Sequence, residues 1–247
     1  MAKKSKALVV GVGAERGLGA ATARRFAREG YHVYVAGRTL EKVTKVADSI
    51  RATNGSATPL EIDATHEADV IGAFDRAMAD DADGAPADLI VHNVGNNMPG
   101  DFREMTADYF EMAWKLGCFA GFLVGREAAR RLVPLGRGTM IFTGASASMR
   151  GRPRFAAFSS AKMGLRAIAQ SMAREFGPAG VHVAHVVIDG GIAGEKLLSR
   201  MPQRAEQVGP DGLLEIDAIA ETYWHIHRQP RSAWTHEVDL RPFKESF

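Results

Sequence analysis

A glycine-rich turn between a short apolar run and an amphipathic segment restricts the possible fold of this chain more than any other feature. The turn, Gly13-Ala-Glu-Arg-Gly-Leu-Gly19, follows an apolar run at residues 7–12 and precedes a helical pattern at residues 18–29. Glycines let the backbone turn tightly, and the N-terminus of a helix offers free N–H groups and a positive dipole end to a phosphate. The spacing predicts a strand, a phosphate-binding turn and a helix, although glycines that follow a strand can also be ordinary turn residues.

The composition is that of a globular protein and excludes several other classes. Of the 247 residues, 46% are hydrophobic and 24% are charged, so a single α/β domain over residues 1–247 is expected. The net charge of +2 gives no reason to expect a nucleic-acid surface. Cys118 is the single cysteine, and no run approaches the roughly 20 apolar residues of a membrane span. We therefore expect a soluble, cytoplasmic protein that contacts neither nucleic acid nor membrane.

Alternating strand and helix signals predict the fold class. Apolar runs rich in β-branched and aromatic residues predict strands at residues 7–12, 31–36, 57–62, 89–91, 139–142, 181–188 and 238–240. Helical periodicity predicts helices at residues 18–29, 40–54, 68–78, 107–132, 155–176 and 216–227. Residues 190–212 have no clear period and are predicted to form a long loop. This alternation predicts one doubly wound, Rossmann-like domain with a parallel sheet covered on both faces.

Ligands of such sheets bind beyond the carboxyl ends of the strands, so the residues that follow each strand form the candidate site. These are residues 13–19, 37–38, 63, 93–95, 144–148 and 189–191.

Several of these positions together resemble the short-chain dehydrogenase/reductase family over residues 5–193. Gly13, Gly17 and Gly19 match its glycine loop, and Asp63 matches its adenine-binding acid. The family's N-N-A-G and Y-x-x-x-K motifs have counterparts in His92-Asn-Val-Gly95 and Phe158-Ser-Ser-Ala-Lys162. The resemblance implies a nicotinamide dinucleotide cofactor and no metal. The residues expected to contact the cofactor are Gly13, Arg16, Gly17, Leu18, Gly19, Arg38, Asp63, Ala64, Asn93, Gly95, Lys162 and Gly190.

Arg38 predicts which cofactor binds. It follows the second strand, where the adenosine ribose should lie, and Gly37 before it carries no carboxylate. An acidic residue there would accept hydrogen bonds from a 2′-hydroxyl, whereas arginine grips a 2′-phosphate with two donors. Arg16 in the glycine loop could reach the same phosphate. We therefore expect NADP(H) rather than NAD(H), the alternative being that both arginines are solvated loop charges.

The family's catalytic residues are mostly absent at the matching positions. The resemblance implies hydride transfer between nicotinamide and a carbonyl or alcohol carbon, served by a tyrosine, a lysine, a serine and an asparagine. Phe158, Ala145 and Gly117 stand at the tyrosine, serine and asparagine positions, and only Lys162 is retained. In the family this lysine also binds the nicotinamide ribose. A benzene ring cannot donate a proton, and losing a general acid typically lowers the rate by about 10²–10⁴-fold.

Several residues are candidates to replace the missing tyrosine as proton donor. Ser146 and Ser148 lie in the loop of the missing serine, and Ser146 is the catalytic candidate that we pair with Lys162. His92 titrates near neutrality but is expected to contact backbone or the adenosine half of the cofactor. Asp189 borders the expected nicotinamide pocket and could act as base or acid. His185 lies within a strand and is expected to be a satisfied core residue.

Two functions remain open on this sequence. The first is a divergent NADP(H)-dependent oxidoreductase for a small carbonyl or alcohol substrate, and the second is a pseudoenzyme that binds NADP(H) as a sensor or partner subunit. A third possibility is a pocket for another nucleotide or an acyl carrier. Residues 190–212, with Lys196, Arg200 and Arg204, are predicted to be a substrate-side loop, either a lid or a mobile surface loop.

The long helices at residues 107–132 and 155–176 resemble the helices that form the family's dimer contact. Small and aromatic residues on the first of them would permit close packing: Ala113, Phe119, Gly121, Phe122 and Ala128. Near the end of the chain, Trp234, Phe243 and Phe247 suggest docking on a neighbouring subunit. We therefore expect a homodimer or a homotetramer.

Overall fold

Seven parallel strands form one sheet in the described part of the chain, residues 3–95 and 97–245 of the computed structural model. The strands are β1 (Lys6–Val10), β2 (His32–Gly37), β3 (Ser56–Glu61), β4 (Leu89–His92), β5 (Thr139–Thr143), β6 (His182–Ile188) and β7 (Glu237–Leu240). Their order in the sheet is β3-β2-β1-β4-β5-β6-β7, and every neighbouring pair is parallel. The chain therefore reverses its direction of progress across the sheet between β1 and β4, which places a crevice at their carboxyl ends.

Helices cover both faces of this sheet. They are α1 (Leu18–Arg28), α2 (Leu40–Arg51), α3 (Glu67–Met78), α4 (Ala107–Trp114), α5 (Ala120–Leu132), α6 (Ala156–Phe176), α7 (Glu195–Leu198), α8 (Arg204–Val208) and α9 (Ile216–Arg228). Apolar residues of α1, α2 and α9 form one core cluster with the sheet, and those of α3, α5 and α6 form the other. Strands buried on both faces explain why β1, β2, β4 and β6 are nearly continuous apolar runs. The predicted doubly wound α/β fold is confirmed.

The predicted helix at residues 107–132 has the expected extent but contains a π-helical turn, Lys115–Phe119. The turn lies where α6 comes close to it. A β-carbon on Gly117 would lie 2.7 Å from Ala161 Cβ, and one on Gly164 would lie 2.6 Å from Cys118 Sγ. The small residues at these crossings permit the close approach of the two helices.

The prediction of a long loop at residues 190–212 is wrong, because this segment contains α7 and α8 and is tied by a parallel bridge between Ile192 and Leu214. Helices of four and five residues are too short to give a readable period. The Glu195 N–H donates to the Arg16 carbonyl at 2.8 Å, so the first turn of α7 rests on the glycine loop.

Several residues predicted to contact another subunit are used within the chain. Trp234 is partly buried and stacks parallel on His182 with ring centroids 4.8 Å apart, so it has a partner within the chain. A β-carbon on Gly121 would lie 2.2 Å from Leu165 Cδ1, which shows that this small residue serves the contact between α5 and α6. Phe243 is 77% exposed, and Phe247 lies outside the described residues. Among the described residues, no helix is both long enough and apolar enough to cross a membrane.

Gly37 at the end of β2 provides a stability prediction. A β-carbon there would lie 2.1 Å from the Val12 carbonyl oxygen, and backbone cannot give way as a flexible side chain can. We expect Gly37→Ala to lower the free energy of unfolding by about 1–3 kcal/mol or more, measured in urea. Gly72, in the middle of α3, is the matched control, because a β-carbon on it would have no heavy atom within 4 Å. Gly72→Ala should raise the same free energy by about 0.5–1 kcal/mol, and equal effects of the two substitutions would contradict the argument.

Candidate active site

The crevice between β1 and β4 is built by a close approach of their two exit loops. Gly11 has φ +97°, and a β-carbon on it would lie 2.6 Å from the Asn93 carbonyl carbon. The Asn93 side-chain amide donates to the Gly11 carbonyl at 3.1 Å, and the Asn93 N–H donates to the Val10 carbonyl at 2.8 Å. The structure therefore uses predicted site residue Asn93 to join the two loops, and it adds Gly11, which the sequence interpretation did not single out.

The glycine loop is shaped to receive an anion. A β-carbon on Gly13 would have nothing within 4 Å, so this glycine faces open space, whereas one on Gly19 would lie 3.0 Å from the Gly11 carbonyl oxygen. Gly17 is the N-cap of α1 and supplies no side-chain cap, and the first turn, which begins at buried Leu18, contains no acidic residue. The N–H groups at the start of α1 are therefore available to a phosphate.

A cleft of about 330 Å³ lies between the ends of β2 and β3 and the segment formed by α4 and the π-helical turn. Arg38 and Asp63 line one side, and Asp108, Glu111 and Lys115 line the other. Partial burial acts to raise the pKa of Asp63, but hydrogen bonds from the Thr65 N–H (2.9 Å) and hydroxyl (2.7 Å) outweigh it and leave that pKa below its usual value. Asp63 is thus a ready acceptor for an N–H or O–H donor. Arg38 is exposed and forms no ion pair within the described residues.

Lys162 lies at the opposite end of the crevice as a buried cation. Its Nζ donates to the Thr143 carbonyl at 2.8 Å and to the Val94 carbonyl at 3.3 Å. A β-carbon on Gly95 would lie 3.3 Å from the same nitrogen, so Gly95 leaves space above the ammonium group. Burial, with a contribution from the charge of Lys196, lowers the pKa of Lys162 to about 8. Two hydrogen bonds to carbonyls leave one N–H of the ammonium group for a bound ligand.

The positions around Lys162 hold few groups that can move a proton. Phe158 is half-buried and lies one helical turn before Lys162 on α6. The Ala145 N–H donates to Ser148 Oγ at 3.1 Å, so this buried serine supports the loop. Ser146 is half-buried, and its hydroxyl has no hydrogen-bond partner within the described residues. Of the two serines in this loop, Ser146 is the one left open to a substrate oxygen.

Two of the alternative proton donors are held in ways that the sequence did not predict. Asp189 is buried, and both of its oxygens accept from Arg150 Nη2 (3.0 and 3.2 Å), while Oδ2 also accepts from Arg241 Nη2 at 2.6 Å. A carboxylate held by two guanidinium groups is a poor general base, so Asp189 serves as an anchor. The expectation that His185 is fully satisfied is wrong: Nδ1 pairs with Glu237 at 2.9 Å, but Nε2 has no partner within the described chain.

His92 is also placed differently from the expectation. Its ring is fully buried beneath α5, packs against Phe142 with centroids 6.0 Å apart, and has no hydrogen-bond partner at either nitrogen in the described residues. It therefore contacts neither backbone polar groups nor the adenosine end of the crevice. Burial, aided by the charge of Lys162, lowers the pKa of His92 to about 3.

The buried His92 makes the free energy of unfolding fall as the pH is lowered. Its pKa is below the unfolded value of about 6.5, so the unfolded chain binds the extra proton, and stability falls as the pH falls below that value. The free energy of unfolding of the wild type should fall between about pH 6.5 and pH 4.5. We expect this fall to be about 2 kcal/mol smaller in His92→Asn. Urea unfolding across this range measures it. The control, His66→Asn at an exposed side chain, should follow the wild-type pH curve; an equal flattening in both variants would contradict the assignment.

Comparison with known proteins identifies the family. A family model described as short chain dehydrogenase matches residues 6–196. The chain belongs to the short-chain dehydrogenase family. It is 32% identical over 227 residues to the uncharacterized oxidoreductase YuxG of Bacillus subtilis, which matches 90% of this chain but only 32% of that protein's length. It is 28% identical over 188 residues to the NADPH-dependent 1-acyldihydroxyacetone phosphate reductase of Saccharomyces cerevisiae, covering 76% of this chain and 62% of the yeast protein.

A solved short-chain dehydrogenase from Rhodopseudomonas palustris has the same fold, with a TM-score of 0.81 and 38% identity over 97% of this chain and 99% of that one. Short-chain dehydrogenases are, as a family, oxidoreductases that bind a nicotinamide cofactor. The cofactor's site fits the residues present, since Gly13 leaves open space before the uncapped start of α1.

Proposed function

We propose that this protein is an NADP(H)-dependent oxidoreductase that interconverts a carbonyl and an alcohol on a small substrate. The observation that carries the cofactor preference is Arg38, an exposed arginine without an ion-pair partner in the described chain, at the edge of the cleft of about 330 Å³. Gly37 before it brings no carboxylate, so a 2′-phosphate would meet the Arg38 guanidinium group directly, with the carboxylates of Asp63, Asp108 and Glu111 elsewhere in the lining of the cleft. The dependence of the yeast relative on NADPH supports the same preference.

The chain's own residues would hold the cofactor along the crevice. The glycine loop and the start of α1 receive the diphosphate, Asp63 and the backbone near Ala64 receive the adenine, and Lys162 donates to the nicotinamide ribose. When bound, the nicotinamide supplies or accepts the hydride. Ser146 is the open hydroxyl that can hold the substrate oxygen, and Asn93 and Gly190 follow the carboxyl ends of β4 and β6. Phe158 supplies no proton, so turnover is expected to be slow.

A second candidate function is a protein that binds NADP(H) without turnover, as a sensor or partner subunit. The phenyl ring of Phe158 at the position of the family's proton donor favours it. Both candidates require the cofactor and differ only in whether a substrate is reduced, so the cofactor must be tested first.

Titration of the purified full chain with NADPH and NADH, by fluorescence and by the shift in melting temperature, tests the proposal. We expect one NADPH per chain, bound about 10- to 100-fold more tightly than NADH, because charge-assisted bonds to the extra phosphate contribute about 1.5–3 kcal/mol. A screen of carbonyl compounds for NADPH oxidation then separates the two candidates. Failure of both cofactors to bind would refute both.

We also propose that the protein acts inside the cell as a homodimer or homotetramer. The α4–α5 surface carries exposed apolar side chains that a second copy could cover: Phe110, Trp114 and Phe122, which are 39%, 39% and 43% exposed. Light scattering on the purified chain reports the number of copies.

A further inference from the structure

Three positively charged side chains stand together in the loop that joins β5 to α6. Residues 145–155 contain Arg150, Arg152 and Arg154 and no acidic residue. The Gly100 N–H donates to the Arg154 carbonyl at 2.8 Å, so the loop after β4 rests against this one. The loop therefore lies against the segment that follows β4, where Asp101 is close enough to Arg154 to interact with its charge.

Arg150 is the member of this group whose position is fixed. It follows the turn Ser146–Ser148, and its N–H donates to the Ser146 carbonyl at 3.1 Å. Its Nη2 alone bonds Asp189, at 3.0 and 3.2 Å to the two carboxylate oxygens. The side chain remains 43% exposed, and its other two nitrogens form no hydrogen bond or ion pair in the described chain. A buried carboxylate thus orients a guanidinium group whose remaining donors face solvent.

Arg150 is not the only cation that contacts Asp189. The Asp189 side chain is 2% exposed and already has Arg241 at 2.6 Å, which is only 13% exposed. Asp239, which is 46% exposed, also contacts Arg241, at 3.2 Å. Asp189 thus has a buried cationic partner besides Arg150, and the two arginines and two aspartates together carry no net charge. What this end of β6 offers to a ligand is the exposed part of the Arg150 guanidinium group.

We propose that Arg150, positioned by Asp189, binds an anionic group of the substrate, so that the substrate is a carbonyl or alcohol bearing a carboxylate or phosphate. This inference rests on the proposed oxidoreductase function, since it assigns the substrate class of the same site. The Nε and Nη1 donors that Asp189 does not use can each donate to an oxygen of either anion. Ser146, four residues earlier on the same turn, would then receive the carbonyl oxygen while Arg150 holds the charged end.

The test uses matched probes that differ only in charge. The full chain, with and without saturating NADP⁺, is titrated calorimetrically with acetoacetate against methyl acetoacetate, and with dihydroxyacetone phosphate against dihydroxyacetone. We expect at least one anion to bind about 10-fold or more tightly than its neutral counterpart, with a preference that shrinks as salt is added. The carboxylate and phosphate arms show which anion the site accepts. Equal binding of charged and neutral probes in both pairs would overturn the inference.

Two variants separate a specific site from general positive charge. Arg150→Met should reduce binding of the preferred anion about 10- to 100-fold and leave its neutral counterpart and NADP⁺ unchanged, while Arg150→Lys should retain part of the preference. The matched control is Arg174→Met, which removes one exposed charge from α6 whose Nη1 donates to the Gln170 carbonyl. Loss of the preference in Arg174→Met, or its persistence in Arg150→Met, would refute the role of Arg150.

The outcomes distinguish this inference from the proposed function. Anion binding that depends on Arg150 in a protein that oxidises no NADPH would retain the inference and remove the oxidoreductase function. Reduction of neutral carbonyls without any anion preference would retain the oxidoreductase function and refute the anion site.

Discussion

Replacing Phe158 by tyrosine together with Ala145 by serine is expected to raise NADPH-dependent carbonyl reduction about 10²–10⁴-fold. The retained residue makes this possible, because Lys162 is already fixed by the Thr143 and Val94 carbonyls one helical turn after position 158. A tyrosine hydroxyl near this buried ammonium group would have a lowered pKa and could deliver the proton. Initial rates with saturating NADPH on the best compound of the carbonyl screen give the measurement.

The control for this gain is the same double variant with Lys162→Met. Removing the ammonium group should abolish the increase in rate, since tyrosine alone lacks a partner that lowers its pKa. Gly117→Asn is deliberately left out: a β-carbon at Gly117 would lie 2.7 Å from Ala161 Cβ, so the asparagine does not fit without moving α6. If NADPH binds and the rate of the double variant stays at the wild-type value, the substrate pocket is incompetent and the binding-only function stands.

The fold could be predicted almost entirely from the sequence because its signals are local. The inner strands of this sheet contain short apolar runs, which are typical of strands buried on both faces, whereas the edge strands β3 and β7 are half-polar. The glycine loop was found for the same reason, since Gly13, Gly17 and Gly19 are close in sequence. The two short helices of residues 190–212 were missed because one turn carries no period. Gly11 and the packing role of Gly37 could not be predicted, because they depend on backbone from other loops, at Asn93 and Val12.

The substrate side of the site could not be predicted, because its contacts join distant parts of the chain. Arg150 and Arg241 meet Asp189 across 39 and 52 residues. Sequence reasoning found Asp189 at the right edge and assigned it acid–base chemistry, since it could not show that two cations would occupy the carboxylate. The same holds for His185, whose partner Glu237 lies 52 residues away. Pairings of this kind depend on the packing of β5, β6 and β7, which no local pattern encodes.

Reversing the charge of Arg38 should have the second large effect. In Arg38→Asp, NADPH loses a charge-assisted contact of about 1.5–3 kcal/mol and meets a carboxylate in its place, so we expect NADPH to bind about 10²–10³-fold more weakly. NADH lacks the phosphate and should bind as well as to wild type or better, because a carboxylate accepts hydrogen bonds from the ribose hydroxyls. Dissociation constants for both cofactors, measured at low and at high salt, test this.

The control must carry the same change in net charge. Arg28→Asp alters the exposed last residue of α1, at the end of that helix remote from the glycine loop, and should leave both dissociation constants unchanged.

Arg16→Met then decides whether the second arginine reaches the same phosphate: a loss of about 10-fold in NADPH affinity with no change for NADH would place it there. If Arg16→Met is silent, Arg16 contributes through its carbonyl, which holds the Glu195 N–H at 2.8 Å, and Arg38 alone discriminates between the cofactors. If Arg38→Asp retains the preference for NADPH, the discrimination lies elsewhere in the cleft and the assignment of Arg38 is wrong.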